Sequence, residues 1–217
     1  MARRPRVFAP GLLYRVIARG NQRRKTFLSD DDDRAYLERL DLYRAKFRLR
    51  IYAFCLMPNH VHLLLETGSA PLSKFMQGLQ QSYTRYFKRR YRKVGHLFQG
   101  RYQAIICAKD KYLLALLRYI HLNPARAGIA RGPERYFYSG HNGYLQSGTP
   151  KVIDAGPILK ILGGSDRRWE ISAKRAKAVA ALIREQGHSV SEVARYLRRD
   201  RANISMMLLR ASARERD

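Results

Sequence analysis

The sequence predicts an α+β protein, an antiparallel ferredoxin-like sheet with helices packed on it, followed by a small all-α domain. Three observations predict this. Residues 12–108 alternate in the order strand, helix, strand, strand, helix, strand, the split βαβ arrangement with helices on one face. A further helical pattern follows immediately. After a Gly-, Ser- and Pro-rich stretch the chain closes with three short helical patterns separated by tight turns.

The elements follow in order. Leu12–Arg19 is apolar and β-branched enough for a strand, and Gly20-Asn21 breaks it. Ser29 followed by Asp30–Asp33 supplies an N-cap and negative charge at a helix start, and Tyr36, Leu37, Leu40 and Tyr43 recur at helical spacing. That acidic run reads as capping rather than as a metal site. Arg50–Leu56 and Val61–Glu66 are strands joined by a turn at Pro58-Asn59. Pro71-Leu72-Ser73 opens a second helix running to about Tyr91, whose later half interleaves aromatic and cationic residues. Leu97–Ala108 alternates loosely as a fourth strand. Asp110 can cap a third helix that ends at Asn123, where Pro124 and Gly128 follow. Residues 138–165 read as a wrap-around tail and linker. In 166–217, Ser189-Val190-Ser191-Glu192 is a capping-box signature. The helices there resemble a helix-turn-helix, whose last helix would present Arg201, Asn203 and Ser205 to a DNA groove.

The composition bounds the function. A chain of 217 residues can hold one core of about 150 residues plus a small appendage. Forty-three Lys and Arg against seventeen Asp and Glu give a formal charge of +26, which points to a polyanion, since neutralising phosphates releases counterions. No run of about 18 apolar residues occurs, and no signal-like apolar core follows Met1–Arg6. The expected location is therefore cytoplasmic and nucleoid-associated, with no membrane partner. Cys55 and Cys107 are the only cysteines, both in apolar stretches, and read as buried thiols.

The chemistry centres on Met57-Pro58-Asn59-His60-Val61-His62-Leu63-Leu64. On a strand, His60 and His62 share one face, so two imidazoles stand side by side and can hold one metal ion. The plainer reading is a pair of hydrogen-bonded histidines at a strand end. Tyr119 and Asn123, four residues apart on the third helix, share a face. Tyr83, Tyr86 and Tyr91 lie on the cationic helix and serve either stacking on bases or packing. His121 lies about 200° around the helix from Tyr119 and is not expected at the same metal. Arg85, Lys88, Arg89 and Arg90 form a basic face suited to DNA. Arg19, Asn21 and Arg101 flank the histidine pair at strand ends and are candidates for gripping a phosphate or a base.

Together, Arg19-Gly20-Asn21, Met57 to His62, Gly95-His96-Leu97-Phe98-Gln99-Gly100-Arg101-Tyr102 and Tyr119-Ile120-His121-Leu122-Asn123-Pro124 resemble the HUH single-tyrosine transposases, specifically those associated with repetitive extragenic palindromes. The resemblance spans roughly residues 8 to 130. It implies a catalytic domain over 1–137 that cuts and rejoins single-stranded or hairpin DNA. It also implies Tyr119 as nucleophile, His60 and His62 as metal ligands, and Asn123, where many members carry glutamine, as the third ligand. The implied cofactor is Mg²⁺ or Mn²⁺.

Tyrosyl attack stores the cleaved bond as a 5′-phosphotyrosine, so a 3′-hydroxyl can reverse the step without ATP. The expected function is thus that of a single-strand DNA endonuclease and strand-transferase, acting as a monomer or homodimer, with possible duplex recognition by residues 166–217. An idle, domesticated repeat-binding regulator of the same fold is the alternative. Intact Tyr119, His60 and His62 argue against it, and the +26 charge argues against a small-molecule hydrolase.

Overall fold

A computed structural model of the protein describes residues 9–107, 109–145 and 152–162. The helix-turn-helix expected in 166–217, with Arg201, Asn203 and Ser205, lies outside the described residues. The elements are β1 (Leu13–Arg19), α1 (Asp30–Phe47), β2 (Arg50–Met57), β3 (His60–Glu66), α2 (Leu72–Tyr91), β4 (Gln103–Cys107), α3 (Lys109–Arg126) and α4 (Ala155–Ile161), with short 3₁₀ turns at Asn21–Arg23, Pro133–Arg135 and Gly140–Tyr144. The sheet order is β2-β3-β1-β4, and every neighbouring pair is antiparallel. This is the predicted ferredoxin-like sheet. The two strands bearing the most apolar sequence are paired at one side, with β3 held between β2 and β1.

The helices cover both faces of the sheet, not one. On one face Val16, Ala18, Phe54, Leu56, Val61, Leu63 and Leu65 pack against Tyr36 and Leu40 of α1 and Phe75, Leu79 and Tyr83 of α2. On the other, Leu13, Cys55, Met57 and Leu64 pack against Leu113, Leu117 and Ile120 of α3 and Ile158 and Leu159 of α4. The reason is visible in β2, where Ile51–Met57 is buried residue by residue without alternation, as a strand covered on both sides must be. A register shift between Ile51 and Ala53 places both Tyr52 and Ala53 on the α3 face.

The start of α1 follows the capping logic. Ser29 and Asp32 form a reciprocal capping box. Asp32 is fully buried, and its Oδ2 accepts from the Leu28 and Ser29 backbone N–H groups at 2.8 and 3.1 Å and from Tyr91 Oη at 2.8 Å. Its neighbour Asp33 is less well served. Burial, reinforced by Asp30 and Asp32, pushes the Asp33 carboxyl up to about 7. The native state therefore holds that proton more tightly than the unfolded chain does. Stability from this group is fully present below the unfolded value near 3.8 and is lost as pH rises toward 7. Asp33→Asn should raise the free energy of unfolding at pH 8 by roughly 1 to 4 kcal/mol and change it little at pH 3.5. Urea titrations at the two pH values check this, and equal effects at both would contradict it.

Three elements differ from expectation. The fourth strand is confined to Gln103–Cys107, because Gly95 and Gly100 adopt left-handed φ angles of 84° and 62° that interrupt extension. Residues 97–99 instead lie against the end of β1: the Asn21 N–H donates to Leu97 O and the Gln99 N–H to Arg19 O, each at 2.8 Å. Cys107, on this edge strand, is only half-buried, whereas Cys55 is buried; both are free thiols.

α3 continues through Pro124 to Arg126 instead of ending at Asn123. Proline cannot donate to the Ile120 carbonyl. The Asn123 side chain compensates, its Nδ2 donating to Tyr119 O at 2.8 Å and Ile120 O at 3.5 Å.

In its described residues, 138–145 and 152–162, the tail is packed against the sheet. It lies along the outer edge of β2, where the Leu56 N–H donates to Tyr138 O at 2.9 Å and the Asp154 N–H to Ile51 O at 2.8 Å. Asp154 Oδ2 accepts from the Ile51 N–H at 2.9 Å and pairs with Arg44 at 3.3 Å. Tyr136 and Tyr144 donate their hydroxyls to Leu56 O and Tyr52 O, each at 2.6 Å. An edge strand that would otherwise present open backbone groups is thereby closed.

Candidate active site on the α3 face

β3 positions the two histidines. His60 pairs with Met57 and Arg19, and His62 with Cys55 and Ile17, so both imidazoles stand on the face covered by α3. Their ring centres are 4.8 Å apart. The turn before β3 is held closely: the Gly20 N–H donates to Asn59 O at 2.8 Å. A Cβ at Gly20 would lie 2.2 Å from the Arg24 carbonyl and 3.2 Å from that of Asn59. These are backbone atoms that cannot swing aside, so Gly20→Ala should cost about 1–3 kcal/mol, read as a lowered urea midpoint. An unchanged midpoint would show that the turn relaxes freely.

Asn59 in turn orients its neighbour. Its Oδ1 lies 2.7 Å from His60 Nδ1, which fixes that nitrogen as the donor and leaves Nε2 with its lone pair. His62 is 3% exposed, and its Nδ1 is buried without a hydrogen-bond partner. Burial, then His60, Arg15 and Arg19, push His62 down to about 3, and burial and Arg19 lower His60 as well. Both rings are therefore neutral, the form that ligates metal. An unpartnered buried nitrogen beside a second free lone pair fits a divalent cation. Among the described residues no group of three or more His, Cys, Asp or Glu side chains could hold a metal, so a third protein ligand would be of another type. Asn123 commits its Nδ2 to the helix backbone, which leaves Oδ1 as its acceptor.

Tyr119 reaches the same place from α3. Its half-buried ring stands edge-on to His62 with centres 6.0 Å apart. Two arginines absent from the sequence-based site accompany it, Arg15 at 4.9 Å and Arg126 at 5.6 Å from the ring centre. Alternation on β1 puts Arg15 on the face of Arg19, which was the available signal for it. Arg126 lies two helical turns from Tyr119, a relation hidden by the expectation that the helix stops at Asn123.

The remaining candidates are divided. Arg19 is exposed at the end of β1 beside His60, and Arg101 is exposed ahead of β4. Arg85 and Arg89 line an open groove of about 710 Å³ on α2 with Arg39, Tyr86 and Arg90. Asn21 belongs to that side of the molecule rather than to the imidazole pair, lining a cavity of about 360 Å³ with Arg24, Lys25, Lys88 and Lys93. Arg90 is engaged internally, donating to Asp31 Oδ2 at 2.9 Å and Tyr86 Oη at 3.1 Å. Packing accounts for two of the three tyrosines on α2: Tyr83 is fully buried with its hydroxyl on Thr26 O at 2.6 Å, and Tyr91 caps α1 through Asp32. Tyr86 stays at the groove, under Arg39. His121 is buried against His141 and Tyr144, on the tail side of α3.

The family model for IS200-like transposases matches residues 9–123, more than half of the chain, and the chain belongs to that family. Among solved structures, a REP-associated tyrosine transposase bound to a REP hairpin is similar in fold, with 16% identity and a TM-score of 0.59 over 72% of this chain and 92% of that one. A candidate transposase of Deinococcus radiodurans R1 shares 19% identity over 54% of this chain and 94% of its own, with a TM-score of 0.40. No curated protein matches the chain. Among the described residues no helix is long and apolar enough to cross a membrane.

Proposed function

We propose that this chain is a single-strand DNA endonuclease and strand-transferase that cleaves and rejoins hairpin-forming DNA through a 5′-phosphotyrosine at Tyr119. The observation that carries the reading is the approach of Tyr119 to within 6.0 Å of His62, ring centre to ring centre, from a different element of the same chain. The hairpin as substrate is supported by the DNA held by the REP-associated transposase of similar fold.

His60, His62 and the Oδ1 of Asn123 would hold the metal, Mg²⁺ or Mn²⁺, which when bound supplies positive charge against the scissile phosphate. Tyr119 Oη forms the new bond to phosphorus while the P–O3′ bond breaks. The phenolic proton passes to solvent, and the departing 3′-oxygen takes a proton from water. One phosphodiester replaces another, so the freed 3′-hydroxyl can attack the phosphotyrosine and restore the strand. The α2 cations Arg85, Lys88 and Arg89 with Arg19 and Arg101 hold the DNA backbone, in keeping with the +26 charge.

Incubation with labelled hairpins from the chain's own genomic flanks and Mn²⁺ tests the proposal. A covalent protein–DNA adduct, resistant to denaturation and lost with a chelator, is the expected result. Hairpin binding without any adduct would overturn it in favour of the idle regulator.

A further inference from the structure

Arg15 has no structural task that satisfies it. Its Nε is buried without a hydrogen-bond partner, although a guanidinium carries five donors that ordinarily find acceptors. It stands on β1 opposite Leu64, on the face of the histidine pair. Its guanidinium lies 4.9 Å from the centre of the Tyr119 ring, the ring that meets His62 edge-on. Arg126, exposed in the last turn of α3, brings a second guanidinium to 5.6 Å from the same ring. Two like charges gathered at one tyrosine, one with an unused buried donor, describe a place prepared for an anion. A phosphate oxygen is the acceptor that the unused Nε of Arg15 fits, as one arm of the fork by which arginine binds phosphate.

We infer that Arg15 and Arg126 form a phosphate clamp at Tyr119 that seats the 5′-phosphate of the DNA strand against the tyrosine. The inference rests on the reading of Tyr119 as nucleophile. It assigns to protein side chains a share of phosphate binding that needs no metal. Arg15, reaching from β1 toward both Tyr119 and His62, fixes where that phosphate lies relative to the two; Arg126, on the helix of Tyr119, closes the clamp from the other element. The α2 cations lie on the opposite side of the sheet and serve the rest of the strand.

Because the clamp needs no metal, it can be measured in EDTA, where no cleavage occurs. The probes are decathymidylates bearing either a 5′-phosphate or a 5′-hydroxyl, with affinities read by fluorescence anisotropy. Wild type should prefer the 5′-phosphorylated strand by about tenfold, the usual worth of a charge-assisted contact to phosphate. Arg15→Gln and Arg126→Ala should each lose most of that preference while still binding the 5′-hydroxyl strand. Tyr119→Phe, which keeps the ring, should retain the preference. Arg126 is exposed, so its variant keeps the test valid if Arg15→Gln fails to fold.

No preference in the wild type, or a preference that survives both arginine substitutions, overturns the clamp. A clamp that is present while wild type forms no adduct on any hairpin would leave phosphate binding intact and remove only the proposed transferase. An adduct without a clamp would do the reverse.

Discussion

Tyr119→Phe is expected to reduce covalent adduct formation by a factor of roughly 10³ or more while leaving hairpin affinity and thermal stability nearly unchanged. The substitution removes only Oη. The ring that meets His62 edge-on and lies beneath the Arg15 and Arg126 guanidiniums stays in place, so neither the packing of α3 nor the cationic surroundings are altered. Nothing else in the described site offers an equivalent nucleophile. Tyr83 is fully buried on the opposite side of the sheet with its hydroxyl committed to Thr26, and Tyr91 is committed to Asp32. Denaturing gels of labelled hairpin with Mn²⁺ report the adduct, and a thermal melt reports the fold. Persistence of the adduct in Tyr119→Phe would place the nucleophile elsewhere.

The second large effect concerns stability. A chain ending at residue 137 should lose its cooperative unfolding transition, whereas one ending at 165 should retain it. The shorter chain forfeits Tyr144, Val152, Ile158, Leu159 and Leu162, all buried. At about 1.5–3 kcal/mol for each buried apolar side chain, the loss is on the order of 10 kcal/mol, comparable with the whole stability of a typical domain. It also uncovers the β2 backbone at Leu56 and Ile51 and inserts water beside Cys55 and Ala53, which are wholly buried. Circular dichroism during heating distinguishes a sigmoidal loss from a featureless slope. Cooperative unfolding of the 137-residue chain would mean that α3 alone suffices to close that face.

What the sequence made legible follows from how local each signal is. The turn at Pro58-Asn59, the Ser29 cap and the period-two placement of His60 and His62 depend on neighbouring residues, and each is found where the residues predicted it. The second covering of the sheet was harder to read because residues 138–162 carry Gly, Pro and Ser in amounts typical of a linker. Their apolar members come only in short groups, such as Val152-Ile153 and the island Ile158 to Leu162, and the unbroken apolar run of β2 was the stronger sign that something must lie over it. α3 runs past the end its sequence predicts, to Arg126, for a different reason. Pro124 forbids one hydrogen bond, and the sequence does not show that the side chain just before it replaces the missing donor. Arg15 escaped notice because a lone arginine inside a strand looks like a solvated residue until the helix that covers it is in place. Arg90 differs from its neighbours in the cationic run in a way the sequence does not show: it faces the acidic start of α1 and pairs with Asp31 while still lining the α2 groove.

The division of the charged groups between the two faces of the sheet bears on the length of nucleic acid the protein can engage. From the imidazole pair, through the sheet and across α2 to the outward side of Arg85 and Arg89, the distance is roughly 20 Å, given about 10 Å between packed layers and a helix some 10 Å across. At 3.4 Å per nucleotide step along a stacked strand, that gap corresponds to about six steps. On the proposed function, a stacked strand with fewer nucleotides on the α2 side of the cleaved bond reaches the site around Tyr119 or the groove of α2, but not both. Footprint, rather than base identity alone, thus becomes a quantity that the thickness of the fold itself dictates.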